Sequence, residues 1–276
     1  MELEEYRNKE LAEFRGREVE RNRIADLMSL LPASLDSALD VGARDGFISK
    51  LLAERFRHVT ALDLETPMID DKRIHCVKGD LTRLEFPDDS FDLILCAEVL
   101  EHIPTRLLND ACREACRVAK EYLLIGVPYK QDLREARTTC YTCGERNPPW
   151  GHVNSFNESR LKELFPTCEV DRLSLLGEPQ TGTNFVSSFL MDKAGNPYGT
   201  YWQEEPCVHC GAMLISPPKR NLWKKGLTKA ALYLDAAQRL ISKPCPGWIH
   251  ILFKKKAAKK VAALGANLAL SASNQS

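Results

Sequence analysis

SALDVGARDG, residues 37–46, decides the fold. A short apolar run ends in an acidic residue and a glycine turn, and FISKLLAERF follows at once, with Phe47, Ile48, Leu51, Leu52 and Phe56 on one helical face. That order is strand, turn, helix. Downstream, HVTALDLE reads as a second buried strand, RIHCVKGDL as a third and FDLILCAEVL as a fourth. A helix over about 104–119, the run EYLLIGVP, the helix NESRLKELF and the strand CEVDRLSLLG continue the alternation. Strands separated by helices make a parallel sheet with helices on both faces. GWIHILFKKK then reads as a last strand running the other way.

The motifs fall in a fixed order along these strands. Asp40, Gly42, Arg44 and Gly46 form the first turn, and Asp63 closes the second strand, with Leu64 next to it. Asp80 and Leu81 follow the third strand, and FPDDSFDLILCAEVLEHIP, with Cys96, Glu98 and His102, brackets the fourth. The order resembles the class I S-adenosylmethionine-dependent methyltransferases over about residues 35–175 plus the final strand. The resemblance implies an α/β, Rossmann-like, doubly wound and mostly parallel seven-stranded sheet with an antiparallel last strand. It implies S-adenosyl-L-methionine as cofactor, held by Asp40, Gly42, Arg44, Gly46, Asp63, Leu64, Asp80, Leu81 and Cys96. Asp63 would accept the ribose hydroxyls and Asp80 the adenine amino group, while the glycines admit the ligand to the backbone. Arg44 departs from the family, standing where many relatives have a glycine; it reaches the cofactor carboxylate or points to solvent. A nicotinamide-binding domain is the competing reading, but GARDGF lacks the third glycine of G-x-G-x-x-G.

Ten cysteines in a chain with a charged N-terminus and no apolar run near bilayer length point to a cytoplasmic protein, where paired thiols serve metal or redox chemistry. Cys140 and Cys143 precede Gly144, and Cys207 and Cys210 precede Gly211, so two Cys-x-x-Cys-Gly units recur. Four thiolates make a closed tetrahedral site suited to structural Zn2+. Both units follow strands that end at the carboxyl edge of the sheet, so the zinc knuckles are expected as insertions there. Bacterial methyltransferases with CxxCG before GHxxSF look similar. Cys76, Cys112 and Cys116 read as packed thiols, and His152 and His209 as spare ligands.

Methyl transfer from a sulfonium needs positioning, with a base for an oxygen or nitrogen acceptor. The candidates are His152 in PWGHVNSF, His102 and Glu98; the alternatives are a cap on the helix near Asn157 for His152 and a loop brace for Glu101-His102. Tyr129, Trp150 and Phe156 are candidate pocket walls. The expected acceptor is a small molecule or a glycan-type substrate; the alternatives are an RNA or protein methyltransferase that uses the zinc lid to bind its polymer, or a non-catalytic cofactor-binding scaffold. Equal counts of 38 basic and 38 acidic residues give no overall field for nucleic acid. The basic segment 219–243 offers peripheral contact with a membrane or partner.

The expected organisation is a charged surface helix in 1–34, a core over 35–177, an insertion over 178–246, the last strand over 247–257, and a partly disordered tail over 258–276. No reading fixes the oligomeric state.

Overall fold

The computed structural model describes residues 15–203 and 205–256. The expected tail, 258–276, lies outside these residues. Seven strands form one sheet: β1 (Ser37–Val41), β2 (His58–Asp63), β3 (Ile74–Lys78), β4 (Phe91–Ala97), β5 (Ala119–Pro128), β8 (Cys168–Leu176) and β9 (Trp248–Lys255). Their order is β3-β2-β1-β4-β5-β9-β8. β1 to β5 pair in parallel, and β9 runs antiparallel to both β5 and β8. The seven-stranded, mostly parallel sheet is therefore as the sequence predicts, with β9 inserted before the edge strand. β4 and β5 are near-continuous apolar runs because both faces are covered by helices. The order reverses at β1 and β4, and in sheets of this kind ligands bind in the crevice outside the carboxyl ends of the strands at that point.

The helices are α1 (Glu18–Ser29), α2 (Phe47–Leu52), α3 (Leu108–Val118), α4 (Glu158–Leu164), α5 (Phe185–Ala194) and α6 (Leu222–Arg239). α1 is not the surface helix its charges predict. Glu20, Arg23, Ile24 and Leu27 are buried, and Asp26 accepts from Ser174 Oγ and meets His250 Nδ1, each at 2.7 Å. Its charged residues are tied to one another and to β8 and β9, which lets them be covered.

α5 was not expected. It packs against α6, so the insertion contributes a helical pair beside the sheet. Asn184 caps it by accepting from Ser187 N–H, and Gly195 ends it with φ +87°. A second, two-stranded sheet joins β6 (Thr138–Thr139) to β7 (Arg146–Asn147) and frames the first cysteine knuckle. No helix among the described residues is long and apolar enough to cross a membrane.

Candidate active site and cysteine cluster

The first turn is tight because its backbone enters left-handed space. Gly42 has φ +76° and Gly46 φ +75°; a Cβ there would come 2.5 Å from Val99 Cγ2 and 2.3 Å from Ile69 Cδ1 respectively. Arg44 also adopts positive φ, +47°. Its backbone N–H donates to Asp63 Oδ2 at 2.8 Å, and Leu64 N–H donates to Oδ1 at 2.7 Å. The Asp63 carboxylate is thus fixed beside the turn, with lone pairs left on both oxygens.

The remaining candidates differ in accessibility. Asp80 is exposed and accepts from Thr82 N–H at 2.8 Å, and Leu64 is exposed as well. Leu81 and Cys96 are buried in the main core, behind the crevice. Burial pushes the Cys96 thiol well up, as it does for a packed thiol. Asp40 is buried and accepts from Ser49 Oγ at 2.6 Å; burial pushes its carboxyl up to about 7. Asp45, between the glycines, is held by Arg15 Nη2 at 2.7 Å, and the guanidinium also lies 4.5 Å above the Phe47 ring. The sequence reading missed Arg15.

His152 and His102 come together. Trp150 and Gly151 have φ +59° and +68°, which turns the chain after Pro149 and presents His152 inward. Val153 and Asn154 donate their backbone N–H groups to the Glu101 carbonyl at 2.7 and 3.2 Å. Asn154 Nδ2 donates to the carbonyls of Leu100 and Ile103 at 3.0 and 2.6 Å. The loops leaving β4 and β5 are thereby sewn together, and the two imidazoles meet edge to face with centroids 4.6 Å apart. Burial lowers His102 to about 4 and His152 to about 3, with Arg44 and His102 respectively adding to the effect.

Glu98 faces elsewhere. Its carboxylate lies 3.5 Å from Arg23 Nη1 and accepts from Trp248 Nε1 at 3.3 Å, and burial raises its pKa. Capping of α4 belongs to Asn157, whose side chain accepts from Arg160 N–H, and not to His152. Tyr129 and Phe156 are core residues, the Tyr129 hydroxyl donating to Glu158, while Trp150 packs edge-on against Trp202.

The four knuckle cysteines converge although up to 70 residues separate them. Cys140 and Cys210 Sγ are 3.7 Å apart, as are Cys143 and Cys207, and all four sulfurs lie within 4.8 Å of one another. In each unit the first cysteine accepts from the glycine N–H at 2.8 Å, and the glycines, Gly144 with φ +81° and Gly211 with φ +73°, allow that turn. A tetrahedral ion with bonds of about 2.3 Å to sulfur places its ligands roughly 3.8 Å apart. His209 meets the Arg146 carbonyl and stands outside this set.

Beyond the knuckles, α6 carries Lys224, Lys225 and Lys229. With Tyr198, Arg220, Thr228 and Leu232 the last two line a cavity of about 250 Å3.

Known proteins match this frame. Residues 39–122 match the methyltransferase domain family model. The chain is 34% identical over 101 residues to a ubiquinone biosynthesis O-methyltransferase of Xylella fastidiosa (strain 9a5c), covering 33% of this chain and 41% of that one. It is 30% identical over 84 residues to an uncharacterized methyltransferase of Mycobacterium tuberculosis (strain H37Rv), covering 28% and 43%. The chain spans about two fifths of the length of these curated relatives. Among solved structures, a candidate methyltransferase of Bacillus halodurans C-125 superposes with TM-score 0.55 at 14% identity, over 85% of this chain and 99% of that one. The YcgJ protein of Bacillus subtilis gives 0.53 at 17% identity, over 86% and 100%. These superpositions show the fold. The segment that matches the methyltransferase domain model lies within this Rossmann-like fold, from β1 to β5.

Proposed function

We propose that the protein transfers a methyl group from S-adenosylmethionine to an oxygen or nitrogen of a small-molecule or glycan-type acceptor. The observation that carries this is Asp63, whose two oxygens are each oriented by one backbone N–H at the mouth of the Gly42–Gly46 turn. A carboxylate so placed accepts both ribose hydroxyls. Asp80 takes the adenine amino group, and exposed Leu64 covers the base better than buried Leu81. Asp40 braces the turn through Ser49, while Cys96 packs behind the crevice. Arg44 serves through its backbone, holding Asp63.

The four-cysteine set is assigned to structural zinc. Its sulfur spacing suits that ion, and four protein ligands leave no position for substrate. The zinc would staple the segment after β5 to the insertion that carries α5 and α6, forming one wall beside the crevice.

A second reading rests on the basic cavity of Arg220, Lys225 and Lys229. Such a surface suits an anionic acceptor such as RNA, and with exposed Leu222 and Trp223 it also suits peripheral contact with an anionic membrane.

Incubation with methyl-labelled S-adenosylmethionine and fractionated extract separates the readings. Label in the small-molecule or glycan fraction supports the proposal, and label in RNA or protein supports the second reading. Cofactor binding without transfer into any fraction points to a non-catalytic scaffold.

A further inference from the structure

Glu101 is fully buried, and neither of its carboxylate oxygens has a hydrogen-bond partner among the described residues. Taking a carboxylate out of water without donors costs several kcal/mol, so such a group is expected either to hold a proton or to face a cation. The Arg23 guanidinium is shared among several carboxylates. Arg23 bonds Glu20 through Nε at 3.0 Å and lies 3.5 Å from Glu98, so three carboxylates, Glu20, Glu98 and Glu101, bear on one positive charge.

Two imidazoles complete the surroundings of Glu101. One ligating atom each from Glu101, His102 and His152 lies within 4.8 Å of the other two. Gln131 Oε1 stands 2.6 Å from His152 Nδ1; an amide oxygen only accepts, so the proton sits on Nδ1 and Nε2 keeps its lone pair. An outer partner that fixes the tautomer in this way is the usual companion of a metal-ligating histidine. His102 is the most accessible of the three, so the cluster is open on one side.

We propose that Glu101, His102 and His152 bind one divalent first-row transition-metal ion, separate from the four-cysteine site, with an open position for an oxygen of the acceptor. Two histidines and one carboxylate with open positions suit Mn2+ or Fe2+. The role assigned to the open position rests on the methyl-transfer reading; the binding of the ion does not. An ion there would lower the pKa of an acceptor hydroxyl. Both imidazoles would be taken up as ligands, so the acceptor's proton would leave to solvent. As the oxygen–carbon bond forms, the sulfur–carbon bond breaks. Its electron pair goes to sulfur, and neutral S-adenosylhomocysteine departs.

The test titrates the full chain, zinc content measured beforehand, with Mn2+ followed by electron paramagnetic resonance and with neither cofactor nor acceptor present. Manganese is a poor thiolate ion and leaves the cysteine site aside. Wild type is expected to take up one Mn2+ per chain, and Glu101→Gln to bind it at least about tenfold more weakly with zinc content unchanged. Should Glu101→Gln lose its fold, His102→Ala decides, because its side chain is the most accessible ligand. It is expected to lose Mn2+ while keeping zinc and the melting midpoint. No uptake by wild type overturns the site, as does full affinity in a folded Glu101→Gln or His102→Ala chain. Because no methyl transfer is read, failure of the site and failure of the proposed activity are told apart.

Discussion

The backbone N–H of Val153 donates to the carbonyl of Glu101 at 2.7 Å, joining the loop after β5 to the loop after β4. Asn154 completes the seam from its side chain, and the two loops together bring His102 and His152 into contact. Everything assigned to acceptor chemistry sits on this seam.

The seam has a measurable cost of removal. Asn154→Ala leaves the carbonyls of Leu100 and Ile103 without their donor in a buried place, a loss of about 1–3 kcal/mol. Thermal unfolding should show a midpoint lowered by several degrees, roughly 2–4 °C for each kcal/mol in a chain of this size. An unchanged midpoint would mean that the two loops hold together without Asn154.

Asp40 gives the stability a pH dependence. Its folded pKa of about 7, raised chiefly by burial, stands above the ordinary value of 3.8, so the folded chain keeps a proton that the unfolded chain gives up. The contribution is therefore fully present below about pH 4, declines as pH rises, and is gone above about pH 7. Asp40→Asn is neutral throughout and lacks this slope. Denaturant titrations of both chains from pH 4 to 7.5 should show the wild type losing ground to the variant as pH rises. Parallel curves would contradict the raised carboxyl.

Zinc content checks the cysteine cluster. Elemental analysis should find one zinc per chain in the wild type and none in Cys140→Ser/Cys207→Ser. Cys207→Ser alone should open residues 178–245 to protease, because the staple to the segment after β5 is lost. Full zinc in the double variant would remove these cysteines from the site.

The sheet was legible because parallel strands covered on both faces are written as apolar runs, and because the Gly42–Gly46 turn and Asp63 end two of them. The cysteine cluster was legible from two spaced pairs whose strands end on one edge. α5 is hard to read from sequence because Phe185, Val186 and Phe189 do not fall on one buried face, and all three are exposed; its cap Asn184 and terminal Gly195 are the available signal. Charge normally marks a solvated face, whereas in α1 Glu20 and Arg23 are buried and paired and Asp26 is paired with His250. His102 and His152 were each candidates, but their meeting at Glu101 depends on side-chain bonds from Asn154 across about fifty residues. No local pattern records such a contact.

The central claim is the cofactor, and calorimetric titration with S-adenosylhomocysteine tests it without any acceptor. The expectation is one site per wild-type chain, displaced by S-adenosylmethionine and not by nicotinamide dinucleotides. In Asp63→Ala the affinity should fall by the loss of a charge-assisted hydrogen bond, about 1.5–3 kcal/mol or roughly ten- to hundredfold. No heat of binding in the folded wild type, or equal affinity in Asp63→Ala, would contradict the account.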